Sequence, residues 1–589
     1  QQAVPDPRGL LLTSSGAMDA VLYELDDFAL LDRWIADTGA LLHEHPDALD
    51  AGLEARVASS LSASMIVRQP QHPDLEHWVE RAYTASLGQP DPHLRMHVET
   101  RVALSIAWAG HYPKAQQVIK GLQTVIAQHD PSPFALGMLK LTEASFHMLT
   151  AQTADCLRAV HDGLEIERST GAHVMTHQLL AYGAGGALAG GDLDGAARML
   201  SESAALAGPR ARFDACLHHL FATWLALLRH DTTTAFQQQR LALTAAIELG
   251  SPHFETLCRM AAAHVFHEAG DLRSSLAHFQ QVYDTAQNIP NHLLDFTGLM
   301  MYAHVALDSG KRPRSGLRAL KLALDIAKPR NYLSFLLWRP DMLAKLCSHA
   351  LEAGIEREFV SKLIHSRNLR LDAADAAIAD WPWPCRVRTL GQPRIDGDSA
   401  HRSFTTTLHR LRKLLGEDHA LHLSEGKLTL DGRHVWTDAW AFEQTTARIE
   451  QLLRRPRESI EQGELDALCE RMTGLYAGPF LGNEPDEPWM FAARERLRHR
   501  LIRVLQDACR HAQQAGTLDR VIDWLERAIE ADGTAEGLYR QLMTCYAQLG
   551  RRADVTETYD RCRKAFIATL RREPSAETRA HYEKLLELA

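Results

Sequence analysis

The chain has 589 residues, 46% hydrophobic and 23% charged, a composition of several globular domains that excludes a disordered or fibrous protein. A net charge of −10 excludes a surface that coats nucleic acid by bulk attraction, although a local basic patch stays compatible with it. The nine cysteines are odd in number, scattered and never in a CxxC pair, which excludes a disulfide framework or zinc ribbon and fits a reducing cytoplasm.

No uncharged apolar run is long enough to span a bilayer and no signal peptide is evident, so no membrane is expected. The first residue is Gln1 rather than Met, which points to a trimmed piece of something longer. Ala and Leu are abundant while aromatics make up only 7%, a bias that suits closely stacked helices.

One pattern recurs from Gln1 to Asp380: an apolar helix, a small or polar turn, then a second amphipathic helix. Clear copies are AWAGHYPKAQQVI at Gly110, ALAGGDLDGAARML at Gly191, HEAGDLRSSLAHF at Gly270 and LDSGKRPRSGLRAL at Gly310. Weaker copies sit at Ala151 and Asp231, so consecutive turns follow at one repeat of roughly forty residues. The same ruler lands near Pro70 and on Gly354. A fixed period of this size predicts a solenoid of helical hairpins, because no single hairpin buries its apolar stripe alone. Glycine at the turn would end the first helix in a left-handed cap, with Asp192 and Asp271 as N-caps of the second. Such a superhelix is expected to offer a long concave face to a small-molecule or protein effector, the plainer alternative being a spacer or oligomerisation arm.

The WPWP stretch at 381–384 reads as a stiff helix-breaking linker. CRVRTLGQPRIDGD then alternates as two strands. SFTTTLHRLRKLLG follows as an amphipathic helix, with Phe404, Leu408, Leu411 and Leu415 on one stripe and Arg402, Thr406, His409, Arg410 and Lys413 on the other. ALHLSEGKLTLDGRHVW contains a β-hairpin. A helix with an apolar back and basic front, followed by a hairpin, is the layout of a winged helix that reads the major groove. Lys427 and Arg433 near the wing turns are candidate phosphate contacts. Residues 385–436 carry nine Lys/Arg against six Asp/Glu, a local charge of +3. The plainer reading of the basic helix face is a solvated surface.

Trp436, Trp440 and Phe442 are expected as core anchors, with Asp438 as the N-cap of the next helix. Near the C-terminus, AQQAGTLDRVIDWLERAIEADG and CYAQLGRRADVTETYDRCRKAF place Gly516 and Gly550 one tetratricopeptide period apart. Ala528, Tyr539, Ala547, Tyr559 and Ala565 then fall at the helix contacts. The histidine-rich spots CLHHL (Cys216, His218, His219) and DHALHL (His419, His422) lack two ligand pairs at zinc spacing, so no metal is expected. There is no GxxxxGK[ST], GxSxG or HExxH motif, and Glu484, Asp486 and Glu487 lie in a proline-punctuated loop without an acid/base partner, so the chain reads as non-enzymatic.

Two resemblances rest on these stretches. The forty-residue repeat over roughly 15–375 resembles the tetratricopeptide-type sensor arms of maltose-regulator-like signal-transducing NTPases. That likeness implies an ATP/ADP-binding module N-terminal to Gln1, while no cofactor is expected within the chain itself. VRTLGQPRIDG, HRSFTTTLHRLRKLLG, LHLSEGKLTLDGRHVWTDAWAFE and GLYAGPFLGNEPDEPWMFAARERLRHRLIRVL resemble the winged helix and bacterial transcriptional activator domain of Streptomyces antibiotic regulatory proteins. The family carries roughly forty more residues between the opening strands and the recognition helix. Here Asp398-Ser399 runs almost directly into Ala400-His401.

The expectation is a mostly α chain in three parts: a tetratricopeptide-like solenoid over 1–380, a winged-helix remnant with a β-hairpin over 385–436, and a helical tetratricopeptide-like activator domain over 437–589. Its implied partners are double-stranded DNA, RNA polymerase, an effector at the solenoid and a possible second copy of itself. The alternative is a helical-repeat scaffold that does not bind DNA.

Overall fold

The computed structural model describes residues 6–129, 131–206, 210–286, 289–371, 381–383, 385–390, 394–396, 415, 420–424, 427–456, 460–482, 488–515 and 518–588. The chain divides into two compact units, Gln1–Arg367 and Asn368–Ala589.

In the first unit, α1 (Pro7–Glu24) and α2 (Leu31–Glu44) precede eight helical hairpins. These are α3/α4 (Ala51–Arg68, Leu75–Leu87), α5/α6 (Pro92–Trp108, Tyr112–Gln128), α7/α8 (Pro133–Leu149, Thr153–Thr170) and α9/α10 (Thr176–Gly190, Leu193–Ala205). Then follow α11/α12 (Arg212–Leu228, Thr232–Leu249), α13/α14 (Pro252–Glu268, Leu272–Ala286), α15/α16 (His292–Asp308, Pro313–Arg330) and α17/α18 (Pro340–Glu352, Arg357–Ser366).

The predicted turns fall where the ruler put them. Positive φ occurs at Gly110, Ala151, Gly191, His230, Gly270, Gly310 and Gly354. One backbone bond closes the same motif repeatedly, as in His111 N–H to Ile106 O (2.8 Å), Asp192 N–H to Ala187 O (2.9 Å) and Asp271 N–H to Phe266 O (2.9 Å). The Asp192 and Asp271 carboxylates accept from Gly195 N–H (2.8 Å) and Ser274 N–H (3.0 Å), so both are N-caps as expected. At the fourth turn His230 takes the left-handed conformation and Asp231 caps α12 through Thr234 N–H. Near Pro70 the connection is a longer turn over 69–74 without a left-handed residue.

The two helices of a hairpin have different jobs. α9 buries twelve of its fifteen residues, 178–189, whereas α10 buries four of thirteen. A helix apolar on all sides is an interior helix, and one with a single stripe is a surface helix. The glycines of AYGAGGALAG make that interior position possible, since a Cβ on Gly186 would meet Cys156 Sγ at 2.5 Å.

The solenoid is wound tightly enough to touch itself. Phe213 N–H donates to Leu25 O (3.0 Å) beside the Arg212–Asp26 ion pair. Arg68 Nη1 donates to Gly250 O (2.8 Å). Asn291 Nδ2 donates to Trp108 O (3.0 Å). The sequence separations of the Arg212–Asp26, Arg68–Gly250 and Asn291–Trp108 pairs are 186, 182 and 183 residues, a constant offset of between four and five repeats.

The second unit opens on Trp381 and Trp383, both buried, in a non-helical stretch as expected. Strand β1 (Cys385–Arg388) pairs antiparallel with β2 (Arg394–Asp396), Val387 opposite Ile395. β3 (Leu421–Ser424) and β4 (Lys427–Leu430) form the predicted hairpin, Leu421 opposite Leu430. β5 (Val435–Thr437) lies parallel to β1, Arg386 opposite Trp436, rather than extending the wing. The helices that follow are α19 (Asp438–Leu453), α20 (Gln462–Leu475), α21 (Pro488–Ala515), α22 (Leu518–Ala531), α23 (Glu536–Gln548), α24 (Arg552–Leu570) and α25 (Ala576–Leu588). Phe442, Cys469, Leu501, Leu525 and Leu542 form their common core. Gly550 takes positive φ at the α23–α24 turn, and Gly516 lies outside the described residues. Ala528 and Tyr539 are buried, Ala547 packs half-buried against the core, and Tyr559 stacks on Tyr582 at 4.2 Å. Ala565 is half-buried.

Candidate nucleic-acid interface and sensor face

Arg402, Thr406, His409, Arg410 and Lys413 lie outside the described residues, as do Phe404, Leu408, Leu411 and His419. Of the predicted stripe only Leu415 is described. Leu415 is buried and packs with Ala420, Leu421 and Val435, with Leu430 beside them. This small apolar knot ties the predicted helix stripe to the hairpin and to β5. Lys427 opens β4 opposite Ser424, and its side chain is likewise outside the described set.

Arg433 is exposed, but its guanidinium is held from within the turn. Nε donates to Asp431 Oδ1 (3.0 Å) and Nη2 to Asp431 Oδ2 (2.7 Å). The Asp431 hydrogen bond raises the arginine pKa further. A phosphate at this turn would share the cation with Asp431, so Arg433 braces the β4–β5 turn first.

Asp438 has a different role from the one expected. The N-cap of α19 is Thr437, whose hydroxyl accepts from Trp440 N–H (3.2 Å). Asp438, one residue later and buried, accepts from Thr389 N–H, Thr389 Oγ1 and Leu390 N–H, each at 2.7 Å. It therefore bolts the end of β1 to the first turn of α19, where a carboxylate is also favoured by the helix dipole. Leu481 N–H donates to Thr389 O (2.6 Å), so the same strand end enters the helical core. Trp436 and Phe442 are buried and Trp440 half-buried. A sequence reading sees the aspartate at a helix start but not the distant strand that it holds.

Thr437 also marks a family boundary. Residues 437–586 match the bacterial transcriptional activator domain. The match thus begins at Thr437, the last residue of β5 and the N-cap of α19. No curated protein matches the chain. Among solved structures, the chain is similar to a Rap protein complexed with competence and sporulation factor, at 11% identity and a TM-score of 0.42, covering 60% of this chain and 97% of that one. It is similar to a human IFIT1 dimer at 10% identity and a TM-score of 0.28, covering 85% of this chain and 95% of the other. The TPR domain of P58(IPK) follows at 12% identity and a TM-score of 0.17, covering 76% and 97%.

In the repeat unit the concave face is not open, which corrects the sequence reading. After α16 the chain leaves helix for the stretch Tyr332–Arg339, which is buried apart from Leu333. Tyr332 OH donates to Gly110 O (2.8 Å), Trp224 Nε1 to Trp338 O (2.8 Å) and Arg339 Nη2 to Glu268 Oε1 (2.6 Å). Phe335 packs edge-on against Phe296 at 5.4 Å. Partners from α11, α13, α15 and the α5–α6 turn can converge on so short a stretch only if it lies along the inside of the curve. The cavity left there, between Trp108, Trp224, His253, Leu294 and Phe335, measures about 10 Å³, room for no more than one water.

The histidine-rich spot CLHHL lies in α11. Burial pushes the His218 pKa down to about 4, and His219 is also lowered while its Nδ1–H donates to Gln238 Oε1 (2.7 Å). Cys216 Sγ faces Cys258 Sγ at 3.7 Å in the core. Among the described residues no group of three His, Cys, Asp or Glu side chains is placed to hold a metal. Among the same residues no helix is long and apolar enough to cross a membrane.

Proposed function

We propose that this chain is a DNA-binding transcriptional activator in which the helical-repeat unit senses an effector and controls a winged-helix element fused to the activator domain. The observation that carries the reading is the junction at 437. The activator domain match starts where a small β-structure, locally +3 in charge, is bolted to its first helix by Asp438. Arg402, Thr406, His409, Arg410 and Lys413 would face the major groove, with Lys427 and Arg433 near phosphates. The activator domain would contact RNA polymerase or a second copy of the chain.

The test is selection from a random DNA pool by the full chain, repeated with Arg410→Ala/Lys413→Ala and across a salt series. The reading expects an enriched motif, lost in the variant, with affinity falling steeply in salt. Absence of any enriched motif refutes it. The compressed junction at Ser399-Ala400 favours the second reading, a repeat scaffold that binds a protein and not DNA. In that case the double variant leaves partner binding and regulation unchanged.

A further inference from the structure

The inner face is filled, so an effector needs another site. We infer that it is the cavity between α2, the turn at 46–48, α3 and α4, and that it takes an uncharged, largely apolar small organic molecule. This inference rests on the effector-sensing reading and names its site.

The volumes decide the location. The cavity measures about 630 Å³ against about 10 Å³ on the inner face. The first value falls in the size range of small-molecule sites, here a half-open cleft. Its floor is apolar, formed by Ile35, Leu61, Met65 and Trp78, all buried. The rim carries His43, Gln69, His72, Asp74 and Arg81, a few polar groups around an apolar body, as ligand sites require.

The charges decide the chemistry. Arg81 at the rim is already paired: its Nε binds Glu54 Oε1 at 2.5 Å while the guanidinium lies 5.0 Å over the Trp78 ring. The Asp74 carboxylate has no partner among the described residues. An anionic ligand would therefore meet an unpaired negative charge, whereas a neutral one bearing a hydroxyl could donate to it. Asp74 is exposed, so water screens its charge, and phosphates and carboxylates are disfavoured rather than excluded.

The site is also wired to the rest of the arm. Gln69 Nε2 donates to Asp32 Oδ1 (2.8 Å), and the same carboxylate takes Arg68 Nε (2.9 Å) and Nη2 (2.7 Å). Arg68 Nη1 is the group that reaches Gly250 O, far along the chain. A molecule that orders α2 against α3 and α4 would steady this bridge.

Gly39 supplies the test. It lines the cavity from within α2, and a Cβ built on it meets nothing within 4 Å. A large side chain there fills the cavity without backbone strain, and leaving glycine in a helix is favourable in itself. Gly16, on α1, has equally open space but does not line the cavity.

The full chain is titrated with Nile red, an uncharged apolar dye, and separately with the anionic anilinonaphthalene sulfonate. The inference expects saturable Nile red binding that Gly39→Trp weakens by roughly tenfold or more, while Gly16→Trp leaves it unchanged. The anionic dye binds more weakly than Nile red and gains affinity in Asp74→Asn. Thermal unfolding checks that both tryptophan variants stay folded, and Gly39→Leu repeats the block with a smaller group. Equal Nile red affinity in the Gly39 and Gly16 variants, or no saturable binding, overturns the inference. The dye result is independent of DNA, so failure of the DNA selection alone refutes the regulator reading and leaves the site standing.

Discussion

Two glycines with the same backbone and different surroundings isolate the weight of the inner segment. Gly110 and Gly191 both end an inner helix, with φ of +89° and +83°. Alanine at either position incurs the left-handed penalty of about 1–2 kcal/mol. At Gly191 a Cβ meets nothing within 4 Å, so Gly191→Ala should lose that amount and no more. At Gly110 the Cβ would stand 2.1 Å from Tyr332 Oη, 3.0 Å from its Cζ and 3.1 Å from Leu293 Cβ. The ring must move, losing its bond to Gly110 O at about 1 kcal/mol and straining a filled core by about 1–3 kcal/mol. Gly110→Ala should therefore lose about 3–6 kcal/mol in total. Tyr332→Phe alone should lose about 1 kcal/mol, because Gly110 O also accepts from Tyr112 N–H. The double variant should cost less than the sum of the two, since one change removes the atom the other collides with. Urea unfolding of the full chain, followed by tryptophan fluorescence, reads all four. If Gly110→Ala and Gly191→Ala lose equal stability, the inner segment is not the packed element described above.

Asp438→Ala should strip three hydrogen bonds from the end of β1 and lower the unfolding temperature of the second unit, with a loss of about 3 kcal/mol. Thr437→Ala, which removes only the N-cap, should lose about 1 kcal/mol. Burial holds His218 and His253 near pKa 4 and His304 near 3. Between about pH 6.5 and 4 the unfolded chain takes up protons that these groups refuse when folded, so acidification should destabilise the fold. Asp295, pushed up to about 6 by burial, opposes this with one proton. These four groups contribute about 2.5 kcal/mol per pH unit near pH 5, and His97, also lowered to about 4, adds to the slope read by unfolding at a series of pH values. The seven cysteines whose side chains are described are all buried, with Cys156, Cys469 and Cys562 pushed up to about 12. Ellman's reagent should accordingly titrate at most two of the nine thiols in the native chain, and all nine after denaturation.

The repeats were legible because each turn carries its own signal. A left-handed residue and a capping aspartate recur at one spacing, and both are local. The β3–β4 hairpin and the start of α19 were legible for the same reason. The inner segment was not, since the hydrogen bonds through Tyr332, Trp338 and Arg339 join it to residues 71 to 222 positions away. Its trace in the sequence is faint: the interval from Gly310 to Gly354 is longer than the others, and Pro329 and Pro340 flank the extra piece. Burial of Tyr332 and Trp338 then turned an anticipated open groove into a core. Asp438 shows the same limit at smaller scale. Its position fitted a cap, and only the pairing of β1 with β5 brings Thr389 within its reach. The α2–α4 cavity left no sequence signal beyond a glycine inside an amphipathic helix.

The contacts between turns four to five repeats apart have a bearing on how this arm comes to be made. An ordinary solenoid is a one-dimensional stack whose first hairpins are complete as soon as the next ones exist. Here Leu25 waits for Phe213, Arg68 for Gly250 and Trp108 for Asn291. During synthesis at about 5–20 residues per second, the early hairpins spend on the order of ten seconds without the neighbours that finish them. Folding is thereby deferred until much of the arm has left the ribosome, and the nascent chain presents its apolar inner helices to chaperones throughout that interval.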